Sequence, residues 1–298
     1  MKSLSISYQG MEDITALEIK ELIGKESEIR DSCVLFECSE EELAKYCYKA
    51  QGVNRVLILL DEFKIKSEED LVKIKEIDFS KWLKERTFAA RCDVIDNDLI
   101  KQEVERLTGD QIDGKVDLKN PDVVVFVYVV KDNCYVGIDF SGDLSKRDYK
   151  IFTARDDIKG TIAYALVRLS GYNSDKSFLN LNAKAGTIAI EAALLGSGLS
   201  VNFFNKQKFN FVKFLDIDLS KFDSSKKEVK VYAADEEGYL RVAAKNAKIA
   251  GVSILFEKVE ANCVVKFNKG KAEVKNLEKE REITHGKETI KTATFLNP

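Results

Sequence analysis

The chain opens on Leu4-Ser5-Ile6-Ser7, whose weak alternation of apolar and polar positions predicts a short strand. The period then changes: Ile14, Leu17, Ile19, Leu22 and Ile23 share one helical face, with Gly24 as the stop. Val34-Leu35-Phe36 and Val56-Leu57-Ile58-Leu59-Leu60 predict strands, with a helix over residues 40–50 between them. Ser67, followed by Glu68, Glu69 and Asp70, is an N-cap with first-turn acids, opening a helix through Leu71, Ile74 and Ile77.

A second unit begins near Ser80. Ala90 to Val94 predict a strand, and Ile100, Val104 and Leu107 a helix that Gly109 ends. The runs 123–130 and 134–138 form a hairpin across Lys131-Asp132-Asn133. In a third unit, Ile158, Ile162, Ala165, Leu166 and Leu169 predict a helix closed by Gly171. Strands are expected at 177–181, 229–234 and 254–256, with helices opening at Gly186 and running from Leu240 to Gly251. Strand and helix alternate along the chain, the pattern of a parallel, doubly wound sheet. Residues 197–228 read as an insertion. The Lys- and Glu-rich segment 268–291 reads as a solvated helix or a mobile loop.

Composition narrows the class. At 298 residues, with 45% hydrophobic and 33% charged positions, the chain suits two globular domains. No apolar run approaches the roughly 20 residues of a membrane span. The six cysteines are scattered without a CxxC pair and His285 is the single histidine, so no metal site is expected. Reduced thiols in a cytosolic protein are the simplest reading. Residues 1–150 hold 23 basic and 32 acidic side chains, a net of −9; residues 151–298 hold 24 and 18, a net of +6. A polyanion site in the acidic half has to be a local patch.

One stretch carries candidate chemistry. Asn180-Leu181-Asn182-Ala183-Lys184-Ala185-Gly186-Thr187 joins a strand to a helix through a short loop. Such a loop lets a ligand approach the backbone, and the helix N-terminus offers free N–H groups to an anion. An ordinary strand-to-helix turn reads the same way. Asp235 ends the next strand, where an acid can accept from both ribose hydroxyls of a nucleoside or can cap the following helix. Glu260, after the third strand, is placed to reach an adenine amino group or is a surface acid.

Three further stretches turn this pattern into a resemblance. They are Gln9-Gly10-Met11-Glu12-Asp13, Lys115-Val116-Asp117-Leu118-Lys119-Asn120-Pro121-Asp122, and Asn246-Ala247-Lys248-Ile249-Ala250-Gly251-Val252. Together with the segment from Arg147 to Ala193, they resemble the THUMP-domain, S-adenosylmethionine-dependent guanine-N2 RNA methyltransferases of tRNA and 23S rRNA. The resemblance implies an α+β ferredoxin-like and THUMP region followed by an α/β Rossmann-like methyltransferase domain. The implied division is residues 1–79, ferredoxin-like; 80–150, THUMP core; and 151–298, methyltransferase. It implies S-adenosylmethionine held by Asn180, Lys184, Gly186, Thr187, Asp235 and Glu260. It further implies RNA, the tRNA acceptor stem above all, contacted by Lys115, Lys119 and Arg147.

Two departures from the family stand out. Its cofactor loop reads Asp-Pro-Met-Cys-Gly-Ser-Gly-Thr, of which this chain keeps Gly186 and Thr187, with Asn180 for the acid and Lys184 for the first glycine. Its catalytic Asn-Pro-Pro-Tyr follows strand four. Here 292–296 reads as that strand and Asn297-Pro298 as the motif's start, after which the chain stops, implying a domain truncated after strand four. The leading expectation is methyl transfer to guanine N2 of tRNA or rRNA, with Asn297 and Pro298 at the amine. The alternative is an RNA-binding protein built on an inactive methyltransferase.

Overall fold

The computed structural model describes residues 1–295, which build two sheets. The first sheet takes β1 (Lys2–Ile6), β2 (Ser27–Arg30), β3 (Cys33–Glu37), β4 (Arg55–Lys64), β5 (Thr87–Ile95), β6 (Lys115–Val116), β7 (Val123–Val130) and β8 (Asn133–Asp139) in the order β2-β3-β1-β4-β8-β7-β5-β6. Strands from both sides of residue 79 thus share one sheet. Its pairings are antiparallel except for β5 with β6 and β7. The parallel arrangement expected from strand–helix alternation therefore fails in this half: helices follow β1, β3 and β5, yet most neighbouring strands of the sheet run antiparallel.

Helices α1 (Glu12–Ile23), α2 (Glu40–Lys49), α3 (Ser80–Leu83) and α4 (Lys101–Gln111) contribute to the core on one face of this sheet. The start of α2 is fixed by a capping box between Ser39 and Glu42, and α1 ends on Gly24 at φ 69°. Helix α4 runs through Gly109 rather than stopping there, and Ile100, expected on its buried face, is 62% exposed. The segment Glu68–Glu76 is a 3₁₀ helix instead of the expected α-helix. The sheet's other face curls inward around Leu4, Leu57, Phe126 and Tyr128. Tyr128 donates from its hydroxyl to the Ser32 carbonyl at 3.2 Å, and Lys131 pairs with Asp31 at 2.9 Å. These contacts bridge strands four places apart, about 19 Å in a flat sheet, so the sheet is rolled.

The second sheet has the order β10-β9-β11-β12-β14-β13. Its members are β9 (Phe178–Leu181), β10 (Val231–Ala234), β11 (Cys263–Asn268), β12 (Lys271–Val274), β13 (Glu282–His285) and β14 (Glu288–Thr294). β10, β9 and β11 run parallel. Helices α5 (Gly160–Leu169), α6 (Thr187–Ser197) and α7 (Glu237–Ala250) supply its main core. Residues 254–256, expected as a strand, make a single parallel bridge from Leu255 to Tyr232.

The segment 268–291 is neither helix nor loop: it holds β12, β13 and the start of β14. Ala272, Val274, Ile283 and Ile290 point into the core while the intervening Lys and Glu face water, so the strand period was hidden by charge. All six cysteines are buried and unbridged. No helix among the described residues is long and apolar enough to cross a membrane.

Three contacts lock the halves together. Residues between α6 and β10 form a strap whose Phe209, Phe211 and Leu219 enter the first core, where Phe211 stacks on Phe140 at 4.6 Å. Gln9 bridges Thr284 on the edge strand β13, and Arg281 grips both oxygens of Asp13 at 2.7 and 2.9 Å. The third contact is a buried knot around Arg147. Its Nε donates to Glu191 Oε1 at 2.6 Å, and Tyr149 donates to the same oxygen at 2.7 Å. Gln51 Nε2 reaches Glu191 Oε2 at 2.6 Å.

Candidate functional site

Between β9 and α6 the chain makes its turn with Asn182 at φ 57°, Lys184 at φ 51° and Gly186 at φ 82°. Two of these left-handed positions carry side chains, yet the backbone keeps the path a glycine-rich loop would take. Gly186 is required twice over, since a Cβ there would lie 2.7 Å from Ala243 Cβ of α7. The Lys184 N–H donates to Asp235 Oδ2 at 2.9 Å, which ties the loop to the end of β10. The Lys184 ammonium lies 4.3 Å from the centre of the Tyr239 ring, a cation–π contact that lodges the side chain against α7.

Asp235 is half-buried, and its Oδ1 accepts from the Glu236 N–H at 2.8 Å. One donor per carboxylate oxygen leaves room for more. Asn180 is fully buried; its Nδ2 donates to the carbonyls of Leu181 and Val265, while Oδ1 has no partner. The Thr187 hydroxyl is taken by Asp157 Oδ1 at 3.0 Å, so it holds the N-terminus of α6 in place. The first-turn N–H groups of that helix have no carbonyl one turn back to bond. A backbone cradle, a helix N-terminus and an acid at the neighbouring strand end fit a nucleoside-like ligand bearing a carboxylate.

Sequence reasoning missed Asn246, which builds this site from behind. Fully buried on α7, it donates to the carbonyls of Phe152 and Ala185 at 2.7 and 3.0 Å and accepts from the Phe152 N–H at 3.1 Å. It thereby fixes both the loop and the Phe152 segment. The available signal was an asparagine in line with Ala243, Ala247 and Ala250 on a buried face.

Several expected site residues lie elsewhere. Arg147, expected at the RNA, has a side chain that is 1% exposed and bound to Glu191. Glu260 shares a groove with Lys176, Ser177 and Asn262, at the ends of β9 and β11 opposite the loop. The acid nearest the Leu255 bridge is Glu257 instead. Lys115 and Lys119 do stand exposed on the edge of the first sheet, and neither has an ion-pair partner among the described residues.

The strand expected to carry the catalytic motif is also displaced. In a sheet of order 3-2-1-4-5 the strand beside strand one is strand four. Here that slot, beside β9, is filled by β11. β14 lies two strands further out and runs antiparallel to β9, so its C-terminal end faces away from the loop. Asn297 and Pro298 lie outside the described residues. At the loop end of β11 stands the exposed Asn268.

Residues 147–276 match the family described as UPF0020, RMKL-like, methyltransferase domain, and residues 66–139 match the THUMP domain. Over 271 residues the chain is 33% identical to a tRNA (guanine(6)-N2)-methyltransferase of Methanocaldococcus jannaschii, covering 82% of this chain and 71% of that one. An enzyme of the same name from Archaeoglobus fulgidus is 27% identical over 265 residues, covering 83% and 66%. Among solved structures, a possible methylase from Clostridium difficile 630 superposes with TM-score 0.76 at 20% identity, covering 100% of this chain and 99% of that one. SMU.472, solved in complex with SAH, gives TM-score 0.71 at 21% identity, covering 87% and 75%. These structural likenesses support the fold.

Proposed function

We propose, because this chain belongs to the THUMP-bearing, RMKL-like methyltransferase family, that it methylates the N2 amino group of a guanine in RNA. S-adenosylmethionine is the proposed methyl donor, and a tRNA docked by its acceptor stem is the proposed substrate. The carrying observation is the 33% identity over 271 residues to a relative named for that reaction. The loop joined to Asp235 supports it, since its geometry suits such a donor.

The donor supplies an electrophilic methyl group on a sulfonium. Asp235 orients the ribose through its free lone pairs, and the N-terminal N–H groups of α6 face the amino-acid carboxylate. Lys115 and Lys119 neutralise RNA phosphates at the edge of the first sheet. Asn268, at the loop end of the strand-four slot, accepts from the guanine amine and aims its nitrogen lone pair at the methyl group. Placement and exclusion of water do most of the work in such a transfer, with no strong base required.

The test is incubation of the full chain with tRNA transcripts and deuterated donor, followed by nucleoside mass spectrometry. Labelled N2-methylguanosine is expected. Salt-dependent tRNA binding that ignores added donor, with no labelled product, would instead establish the RNA-binding alternative.

A further inference from the structure

A cleft of about 680 Å³ lies where the mouth of the rolled sheet meets the turn between β13 and β14. Strand register fixes its place. Glu282 aligns with Lys291, Lys291 with Lys271, and Lys271 with Asn268, so the turn His285-Gly286-Lys287 projects beyond the sheet end that carries the 182–186 loop. From β9 to β13 is four strand spacings, about 19 Å. The cleft therefore opens on the same side as the donor loop but is separate from it.

Its lining carries charges of both signs. Lys159, His285 and Lys287 are joined there by Asp93, Asp96 and Asp143, the last close enough to Lys159 to act on its charge. Lys159 contacts His285 Nε2, and the His285 ring meets Tyr8 edge-on with centroids 4.5 Å apart. Arg55, also in the lining, is already committed to Asp139, and Asp93 to Lys101. Asp96 and Lys287 are exposed and have no ion-pair partner among the described residues. Three titratable groups here depart from their ordinary values. Burial pushes the Tyr8 hydroxyl up to about 12, and it lowers both Lys159 and His285, the latter helped by the Lys159 charge. Perturbed groups gathered in one cleft make it a candidate binding site.

We propose that this cleft is a guanine-nucleotide subsite for the RNA, with the phosphate on Lys159 and Lys287 and the base edge on Asp96. Guanine is the base whose pairing edge offers adjacent N–H donors to one carboxylate, and the Tyr8 ring belongs to the same lining. The site reads a guanine apart from the one that is methylated and so contributes to the choice of RNA. This rests on RNA being the substrate.

The experiment measures binding of the full chain to labelled tRNA across a salt series. Lys287→Glu should weaken binding roughly tenfold at low salt and reduce the salt slope by about 1–2. Its thermal midpoint should not move, because Lys287 is exposed and unpaired. Guanosine monophosphate should compete better than uridine monophosphate, and Asp96→Asn should erase that preference. Unchanged affinity and slope in Lys287→Glu, with wild-type binding intact, would overturn the subsite and leave the RNA reading standing. Equal competition by the two nucleotides would overturn the guanine assignment. No tRNA binding by the wild type would overturn both readings.

Discussion

Replacing Arg147 with methionine should cost more stability than almost any other single change in this protein. The guanidinium holds Glu191 at 2.6 and 3.3 Å, donates to the Leu144 carbonyl at 2.7 Å, and also reaches the Gln51 carbonyl. The Glu191 side chain is 0% exposed, so removing the cation strands a buried carboxylate with Tyr149 and Gln51 as its remaining side-chain partners. Breaking a buried pair from one side costs about 3–5 kcal/mol. That is a large part of the roughly 5–15 kcal/mol that holds a typical domain folded. Lys20, paired to Glu26 with both side chains mostly in water, is the control; Lys20→Met should cost less than about 1 kcal/mol. Urea unfolding followed by the fluorescence of Trp82, the single tryptophan, and by circular dichroism reads both variants. The double variant Arg147→Met/Glu191→Met should recover part of that loss, because it removes the stranded charge even though Tyr149 and the Leu144 carbonyl lose partners. The reasoning fails if Arg147→Met stays within about 1 kcal/mol of wild type, or if the double variant is no better than the single.

Gly10→Ala should loosen the joint between the sheets, because Gly10 has φ +87° and a Cβ would lie 2.1 Å from the Glu282 carbonyl oxygen. A drop of at least about 2 kcal/mol and faster proteolysis near residue 10 are expected, and an unchanged melting curve would refute it. Lys184→Gly relieves a left-handed lysine and should change stability by less than about 1 kcal/mol while tightening donor binding by calorimetry. Weaker donor binding would show that the ammonium is a donor contact. Burial raises Glu18 above its ordinary 4.5, against the pull of the Gln51 and Gly52 N–H groups. The folded state thus keeps this proton after the unfolded chain has lost it. That stabilisation is complete below the unfolded value and is lost as pH rises through the folded one. Glu18→Gln should flatten the decline, read as melting temperature against pH. Asn268→Ala should cut methyl transfer roughly a hundredfold, the cost typical of losing one positioned polar group; full activity would remove it from the site.

Apolar runs made most of the fold legible. β3, β4, β7 and β8 stand where compact Val, Ile and Leu clusters lie, and Gly24 and Gly251 close helices in left-handed conformations. What hid β12 to β14 was charge: Ala272, Val274, Ile283 and Ile290 are spaced among lysines and glutamates that solvent accepts. β2, Ser27-Glu28-Ile29-Arg30, has no apolar face at all and forms because β3 offers it an edge. The turn at 182–186 and the acid ending β10 were legible because strand, loop and helix follow one another locally. Arg147 was not, since its partner is 44 positions away and a cation reads as surface until that partner is known. The position of Asn268 was not legible, because finding which strand fills the slot beside β9 requires the pairing of β11 with β9, a fact of the sheet.

The Gln9–Thr284 bridge also sets an order of events during synthesis. Its partners are 275 positions apart (284 − 9), and the Arg281–Asp13 pair spans 268. At 5–20 residues per second, the first partner waits roughly 15–55 s for the second. The first sheet therefore closes while Gln9 and Asp13 still lack these partners, and the strap that enters its core is also made later. A ribosome stalled before residue 281 would carry a rolled sheet with a loose loop at its rim. That loop is a handle for proteases and chaperones, and it disappears when the last hairpin docks.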